Sequence, residues 1–185
     1  MNNALLVRRM WSLSKALDLA LIDEEIEKGL NVQLGKRHGE RVAYISLCTG
    51  KALNLARNDI ILLTISGLLH DIGAVGGFHL VHASGQLMKE HCVLGAELVK
   101  GFPRGDELAA ILLAHHETPS PKLSPLKMSG EAIPLFSKII SLADHVDIFM
   151  ASSEERYANR DLVRDWVTRN TDFIFFPEVA EVFLE

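Results

Sequence analysis

Apolar residues recur at the spacing of α-helices along most of this 185-residue chain. Runs that alternate apolar and polar residues, as exposed strands do, are few, and no internal repeat is present. Glycines and prolines separate the helical segments, most densely at residues 73–77 and 118–130. We therefore predict an all-α fold in which a bundle of helices packs around one core.

The same pattern predicts the bounds of several elements. The N-terminal region is expected to form a helix from Leu5 to Leu21 and a separate, shorter helix from Ile22 to Leu30. A later helix is expected over Asp106–His116. The proline-rich segment Thr118–Gly130 is predicted to be a loop, and its length is typical of functional loops.

Charge and hydropathy exclude several functions. The formal net charge is −5, which argues against a nucleic-acid polymer as a partner because such a partner requires a basic face. A phosphate-bearing small molecule stays open, since bound metal ions would add positive charge that the residue count omits. The longest apolar run, Ile60–Leu69, is too short to cross a membrane, and no signal peptide is apparent. We therefore expect a cytoplasmic protein without a membrane span.

Histidines and aspartates carry the strongest chemical signal. His70 and Asp71 are adjacent at the end of an apolar helix, and His115 and His116 close another. Asp144 lies within an apolar helix, where a carboxylate is costly unless it is paired or binds a metal. Imidazole and carboxylate groups are preferred ligands of divalent metals, and helical bundles can hold such ions in their cores.

Each of these residues also has an ordinary structural explanation. A histidine at a helix C-terminus, such as His70 or His116, interacts favourably with the helix dipole without a metal. His91, which lies within a helix, could alone be a half-exposed surface residue. His38 lies just before a predicted helix. The joint pattern therefore supports a metal site more strongly than any single residue does.

Six segments resemble, in order, the motifs of the HD-GYP subfamily of HD-domain metal-dependent phosphohydrolases: HGERVAYI from His38, LLHDIG from Leu68, KEHCVLGAELV from Lys89, AHHE from Ala114, IPLFSKIISLADHVD from Ile133 and FPEVAEVFLE from Phe176. The resemblance implies a helical bundle of the HD-domain type over residues 31–185, with lead-in helices over residues 1–30, in one compact unit. Such lead-in helices occur in HD modules that lie beside other domains. An attached signalling domain or a homodimer is therefore left open.

By that resemblance, two divalent metal ions are bound by seven side chains: His38, His70, Asp71 and Asp144 at one ion, and His91, His115 and His116 at the other, with Asp71 bridging. Iron is the metal that the resemblance favours, and manganese, zinc or nickel are alternatives. Asp71 and His70 are the implied catalytic residues. The implied reaction is hydrolysis of a phosphodiester, in a nucleotide-type substrate such as cyclic di-GMP, by a hydroxide that bridges the two metals.

Other positions depart from the family pattern. Ala74 replaces a lysine that contacts substrate phosphate, and Leu34 replaces the glutamate of a third metal site, so two ions are expected. Ser153 replaces one of two basic phosphate-binding residues, whereas Arg156 keeps the second charge and is predicted to bind substrate. The three positions that give the subfamily its name hold Leu123, Ser124 and Pro125.

Three functions are therefore weighed. The first is an active phosphodiesterase, which the complete ligand set favours. The second is a catalytically weak, metal-containing signalling module that binds a nucleotide or protein partner and regulates an attached domain, which the altered loop favours. The third is a nucleotide phosphohydrolase with a four-ligand site, which would leave three histidines unexplained. Asp147, one helical turn from Asp144, either orients a ligand histidine or is an ordinary surface carboxylate.

Overall fold

The computed structural model describes residues 3–27, 37–74, 85–152 and 160–185. Within these ranges the chain forms eight α-helices and no β-strand, which confirms the predicted all-α fold. A short 3-10 helix over Gly130–Ala132 precedes the sixth helix. The helices are α1 (Asn3–Glu27), α2 (His38–Ala52), α3 (Arg57–Leu69), α4 (Gly85–Val99), α5 (Gly105–Leu113), α6 (Leu135–Ser152), α7 (Arg160–Asn170) and α8 (Pro177–Leu184).

Helix α3 is central to the bundle because it is apolar around most of its circumference. It contacts α1, α2, α5 and α6, while α2 also packs on α6 and α4 packs on α5. A Cβ atom at Gly67 would lie 2.8 Å from the Cα atom of Ala43, so α2 and α3 approach this closely only because Gly67 has no side chain. The buried residues of α3 include Leu62, Leu63, Ile65, Leu68 and Leu69.

Helix α1 packs on α2 and α3, and its Leu6 joins the buried core. The predicted separate helix from Ile22 is wrong, because one helix continues to Glu27 without a glycine or proline to interrupt it. Residues 28–30 and the proposed boundary between residues 30 and 31 lie outside the described part of the chain. The division into lead-in helices and a main domain therefore stays a prediction. No described helix has the length and apolar content needed to cross a bilayer.

Candidate metal centre

The seven side chains that the sequence singles out lie together in the interior of the bundle. They come from the first residue of α2, the end of α3, the middle of α4, the turn after α5 and the middle of α6. None of them exposes more than 7% of its surface: His38, His70, Asp71, His91, His115, His116 and Asp144. Burial of so many polar groups is costly unless they are paired with each other or bind a cation.

Helix ends place several of these rings. His70 stands at the C-cap of α3, where its Nδ1 donates to the carbonyl of Gly67 at 2.9 Å. His115 Nδ1 donates to the carbonyl of Leu112 at 2.6 Å, and so takes the acceptor that the amide of His116 would use in a longer helix. Helix α5 therefore ends before His115, whereas the sequence pattern predicted a helix through His116.

One half of the cluster comprises His38, His70 and Asp144. The Nε2 atoms of His38 and His70 lie 3.2 Å apart. Oδ1 of Asp144 lies 3.2 Å from His38 Nε2 and 3.8 Å from His70 Nε2. Such separations suit ligands of a single ion, since bonds from zinc to nitrogen or oxygen are about 2.0–2.2 Å long.

The other half comprises Asp71, His91, His115 and His116, whose ligand atoms lie within 4.8 Å of one another. The Nε2 atoms of His91 and His115 are 3.1 Å apart. Oδ1 of Asp71 lies 3.5 Å from His91 Nε2 and 4.0 Å from His115 Nε2. These residues could therefore hold a second ion.

Asp71 lies between the two halves and presents one carboxylate oxygen to each. Whereas Oδ1 faces His91 and His115, Oδ2 lies 3.4 Å from His38 Nε2 and 3.2 Å from His70 Nε2. This is the arrangement that a carboxylate needs to bridge two ions.

The donor set fits cations better than it fits hydrogen bonds alone. Nδ1 of His70 donates to a carbonyl oxygen, and Nδ1 of His38 lies 2.8 Å from a carboxylate oxygen of Asp147. If neutral, both rings therefore direct the lone pairs of their Nε2 atoms at each other across 3.2 Å, which is repulsive unless a proton or a cation intervenes. With both rings neutral, neither oxygen of the buried Asp71 has a hydrogen-bond donor among the described residues. Bound cations would satisfy all of these groups.

The electrostatics of the two halves differ. Burial by itself would lower the pKa of His70, but the carboxylates of Asp71 and Asp144 outweigh it and raise the pKa to about 10. The pKa of His38 is likewise raised despite burial, through Asp144 and Asp147. In contrast, burial and the neighbouring imidazoles lower the pKa of His115 to about 3. Without metal, His38 and His70 therefore tend to bind protons, whereas His115 stays neutral and can act as a metal ligand.

This difference predicts that metal uptake at pH 8 releases protons. A histidine with the ordinary pKa of 6.5 is already neutral at pH 8, whereas His70 with a pKa of about 10 must lose its proton before Nε2 can bind a metal. The affinity for metal should consequently keep rising as the pH increases above 8. Calorimetric titration of chelator-treated protein with Mn²⁺, in buffers of different ionisation enthalpy, measures the release. A binding heat that is independent of the buffer would contradict this prediction.

Comparison with known proteins identifies the fold and its relatives. Residues 36–148 match the family model of the HD domain. The chain belongs to the HD-domain family. It is 29% identical over 149 residues to the 3'3'-cGAMP-specific phosphodiesterase 1 of Vibrio cholerae. This alignment covers 78% of the chain and 32% of the relative. The chain is also 27% identical over 156 residues to the cyclic di-GMP phosphodiesterase response regulator RpfG of Xanthomonas campestris, with 78% of this chain and 41% of the relative covered.

A solved structure has the same fold. The crystal structure of a cyclic GMP-AMP specific phosphodiesterase from V. cholerae superposes with a TM-score of 0.72 and 22% identity over 96% of the HD-domain chain. The match covers 47% of that protein, so the chain spans less than half the length of each of these relatives. The predicted similarity to HD-GYP-type proteins is confirmed.

Asp147 is not one of the proposed metal ligands of this HD domain, but it contacts one of them, His38. The side chain is buried, and Oδ2 lies 2.8 Å from Nδ1 of His38. Arg41 donates to both oxygens of Asp147, from Nη2 at 2.8 Å and from Nε at 2.5 Å. Burial would raise the pKa of Asp147, but the hydrogen bonds with His38 and Arg41 lower it. Of the two interpretations of Asp147, the structure therefore supports orientation of His38 over a surface role.

We expect Asp147→Asn to weaken binding of one metal ion by about 10–100-fold, the usual cost of losing a carboxylate that orients a ligand histidine. The amide keeps the size of the side chain but loses the charge that holds His38 and Arg41. Mn²⁺ titration of the two proteins measures this loss. Asp165→Asn is the matched control, because Asp165 is exposed on α7. Equal affinities of the wild type and Asp147→Asn would show that Asp147 does not support the site.

The remaining predicted residues have different outcomes. Arg156, the expected phosphate contact, lies outside the described residues, as do Leu34 and Ser153. Ala74 is buried and directly follows the turn of residues 70–73, which carries His70 and Asp71. Sequence reasoning missed Glu117, which is completely buried, although the AHHE motif contains it. Its position beside two histidines was the available signal.

Proposed function

We propose that this chain is the catalytic unit of a metal-dependent phosphodiesterase that hydrolyses a cyclic dinucleotide of the cyclic di-GMP or cyclic GMP-AMP type. The proposed ligands of two divalent ions are His38, His70, Asp71 and Asp144 in one half, and His91, His115 and His116 in the other, with Asp71 shared. Two relatives, 27–29% identical over 78% of this chain, are named as phosphodiesterases of these nucleotides, which supports the substrate class.

The observation that carries the proposal is the position of Asp71. Oδ2 of Asp71 lies 3.4 Å from His38 Nε2 and 3.2 Å from His70 Nε2. Oδ1 lies 3.5 Å from His91 Nε2 and 4.0 Å from His115 Nε2. A four-ligand site would need only one of these pairs. The geometry therefore favours the two-metal reading over the nucleotide phosphohydrolase with a single ion.

The proposed chemistry divides between the ions and the protein. Bound divalent ions would supply a nucleophilic water near neutral pH and offset the negative charge of the phosphoryl group. Asp71 would keep the two halves at a fixed separation, while Asp147 and Gly67 hold the rings of His38 and His70 through their Nδ1 atoms. Asp144 is buried on α6, as are Ile140 and Ala143 of the same helix, so its carboxylate is shielded from bulk solvent.

Hydrolysis by purified, metal-loaded protein tests the proposal. The substrates are cyclic di-GMP, 3'3'-cGAMP and a simple aryl phosphodiester, each with Mn²⁺ or with anaerobically added Fe²⁺. We expect turnover of a cyclic dinucleotide that chelation abolishes and that added metal restores. Absence of turnover on every substrate, in protein shown to hold two ions, would overturn the enzyme assignment.

One observation favours the second candidate, a metal-containing signalling module. Ala74 is 3% exposed and provides no cation where the family pattern has a phosphate-binding lysine. If cyclic di-GMP binds to the metal-loaded protein without being hydrolysed, this candidate replaces the enzyme. Equilibrium binding, measured beside the hydrolysis assay on the same sample, separates the two outcomes.

The ligand types restrict the metal to a class of divalent ions and do not identify one member of that class. Imidazole and carboxylate suit iron, manganese, zinc and nickel alike, and iron stays our prediction from the family resemblance. Elemental analysis of the protein as purified measures both the kind and the number of ions. A cytoplasmic location, and a homodimer or an attached signalling domain as partner, likewise stay predictions.

A further inference from the structure

Glu117 follows His115 and His116 directly, yet it belongs to neither ligand group of the described residues. Its carboxylate has 0% exposure and accepts three hydrogen bonds from one short stretch of the following loop. The hydroxyl of Ser124 and the amide of Met128, at 2.6 Å, donate to Oε2. The amide of Leu126 donates to Oε1 at 2.8 Å. Glu117 is thus engaged with the loop.

The backbone of the loop is shaped to reach this carboxylate. Lys127 has a φ of 56°, in the left-handed region that residues other than glycine rarely adopt. Its left-handed backbone lies between the two amides, of Leu126 and Met128, that point at Glu117, as in the backbone concavities that bind anions. The strain at Lys127 is offset by hydrogen bonds to a buried charge, which are stronger than those between neutral groups.

Other contacts hold the two ends of the same loop. The amide of Ser120 donates to the carbonyl of Phe173 at 3.3 Å. At the far end, Met128 packs against the small buried cluster of Ala114, Ile133 and Phe176. Ala114 directly precedes the two histidines of the metal centre, so Met128 packs against a cluster that includes the start of the histidine turn. Movement of the loop would therefore displace the turn.

From these contacts we infer that Glu117 is a positioning residue, which holds the loop 118–129 in one conformation and thereby fixes the turn that carries His115 and His116. Ser124, at the position where the subfamily pattern has tyrosine, supplies a hydroxyl to this clamp. The altered residues of the loop therefore form a fixed support for one half of the metal centre. This inference rests on the proposed function, because it assigns a role within the same two-metal site.

The test compares Glu117→Gln with wild type by Mn²⁺ titration and by hydrogen exchange. The glutamine keeps the size of the side chain, but its NH₂ group cannot accept the donors of the loop. We expect one of the two binding events to weaken by at least about tenfold, with the other unchanged, and the amides of Leu126 and Met128 to exchange faster. Glu131→Gln, an exposed change beyond the loop, is the matched control and should alter neither measurement.

Each other result has a distinct meaning. A Glu117→Gln protein that unfolds at lower temperature but binds both ions as the wild type does would overturn the inference, because Glu117 would then be only structural. A wild type that takes up no pair of ions would instead overturn the proposed function. If Glu117→Gln fails to fold, Ser124→Ala carries the test, since it removes one of the three hydrogen bonds. It should weaken the same binding event by a smaller factor, and unchanged binding of both ions would overturn the inference.

Discussion

Asp71→Ala is expected to abolish hydrolysis and to weaken binding of both metal ions. Asp71 gives one oxygen to each half of the cluster, so its removal takes a ligand from both. We expect the affinity for each ion to fall more than about 100-fold, beyond the loss typical of residues that only support a ligand. Elemental analysis and Mn²⁺ titration of the purified variant measure the effect on metal binding, and an assay with the proposed cyclic dinucleotide substrates measures the effect on hydrolysis.

His115→Ala provides the informative comparison for Asp71→Ala. His115 belongs to one half only, so its loss should remove one ion and leave the other in place. Asp165→Ala, on the exposed face of α7, controls for the loss of an acidic side chain. Full occupancy of two ions in Asp71→Ala would show that Asp71 does not bridge, and the two-metal proposal would lose its main support.

Gly73→Ala is expected to damage the site although Gly73 offers no ligand. A Cβ atom at this position would lie 2.2 Å from the carbonyl oxygen of His91 and 2.5 Å from the amide nitrogen of Gly95. Both contacts are with the backbone of α4, so the turn that carries Asp71 and helix α4 would have to separate. We expect the free energy of unfolding to fall by about 1–3 kcal/mol, the usual cost of overpacking. Binding of the ion next to His91 should weaken as well.

Thermal denaturation and Mn²⁺ titration check Gly73→Ala against a matched glycine. Gly101→Ala is suitable, because a Cβ atom there has no neighbour within 4 Å and the change should be nearly silent. If Gly73→Ala keeps the stability and the metal binding of the wild type, then α4 adapts without moving His91. The close approach would then be incidental to the site.

Helical periodicity was sufficient for the fold class, and ordered motifs were sufficient for the family. The apolar run before His70 predicted a helix there, and α3 occupies that segment, but the central position of α3 is seen only in the structure. The helical pattern failed at the end of α5, where the ring of His115 competes for the carbonyl of Leu112. Periodicity contains no signal for such a contact, since it reports which residues are apolar and not which side chain takes a backbone acceptor.

The supporting contacts of the site were less accessible from the sequence. Asp147 was considered for such a role from its helical spacing to Asp144, but its pairing with Arg41 joins residues 106 positions apart. Likewise, the interaction of Glu117 with Leu126 and Met128 depends on an irregular loop, whose course no periodic pattern describes. Contacts of this kind depend on how distant elements pack, and only the folded arrangement reveals them.

The proposed ligands are spread from His38, the first residue of α2, to Asp144 in the middle of α6. This segment is more than half of the chain. Ions bound there would act as cross-links between helices that have no covalent connection nearby. Because such binding is available to the folded chain and not to the unfolded one, its free energy adds to that of folding. If the proposed ions are bound, removing them should therefore lower the stability of the folded chain as well as the proposed activity.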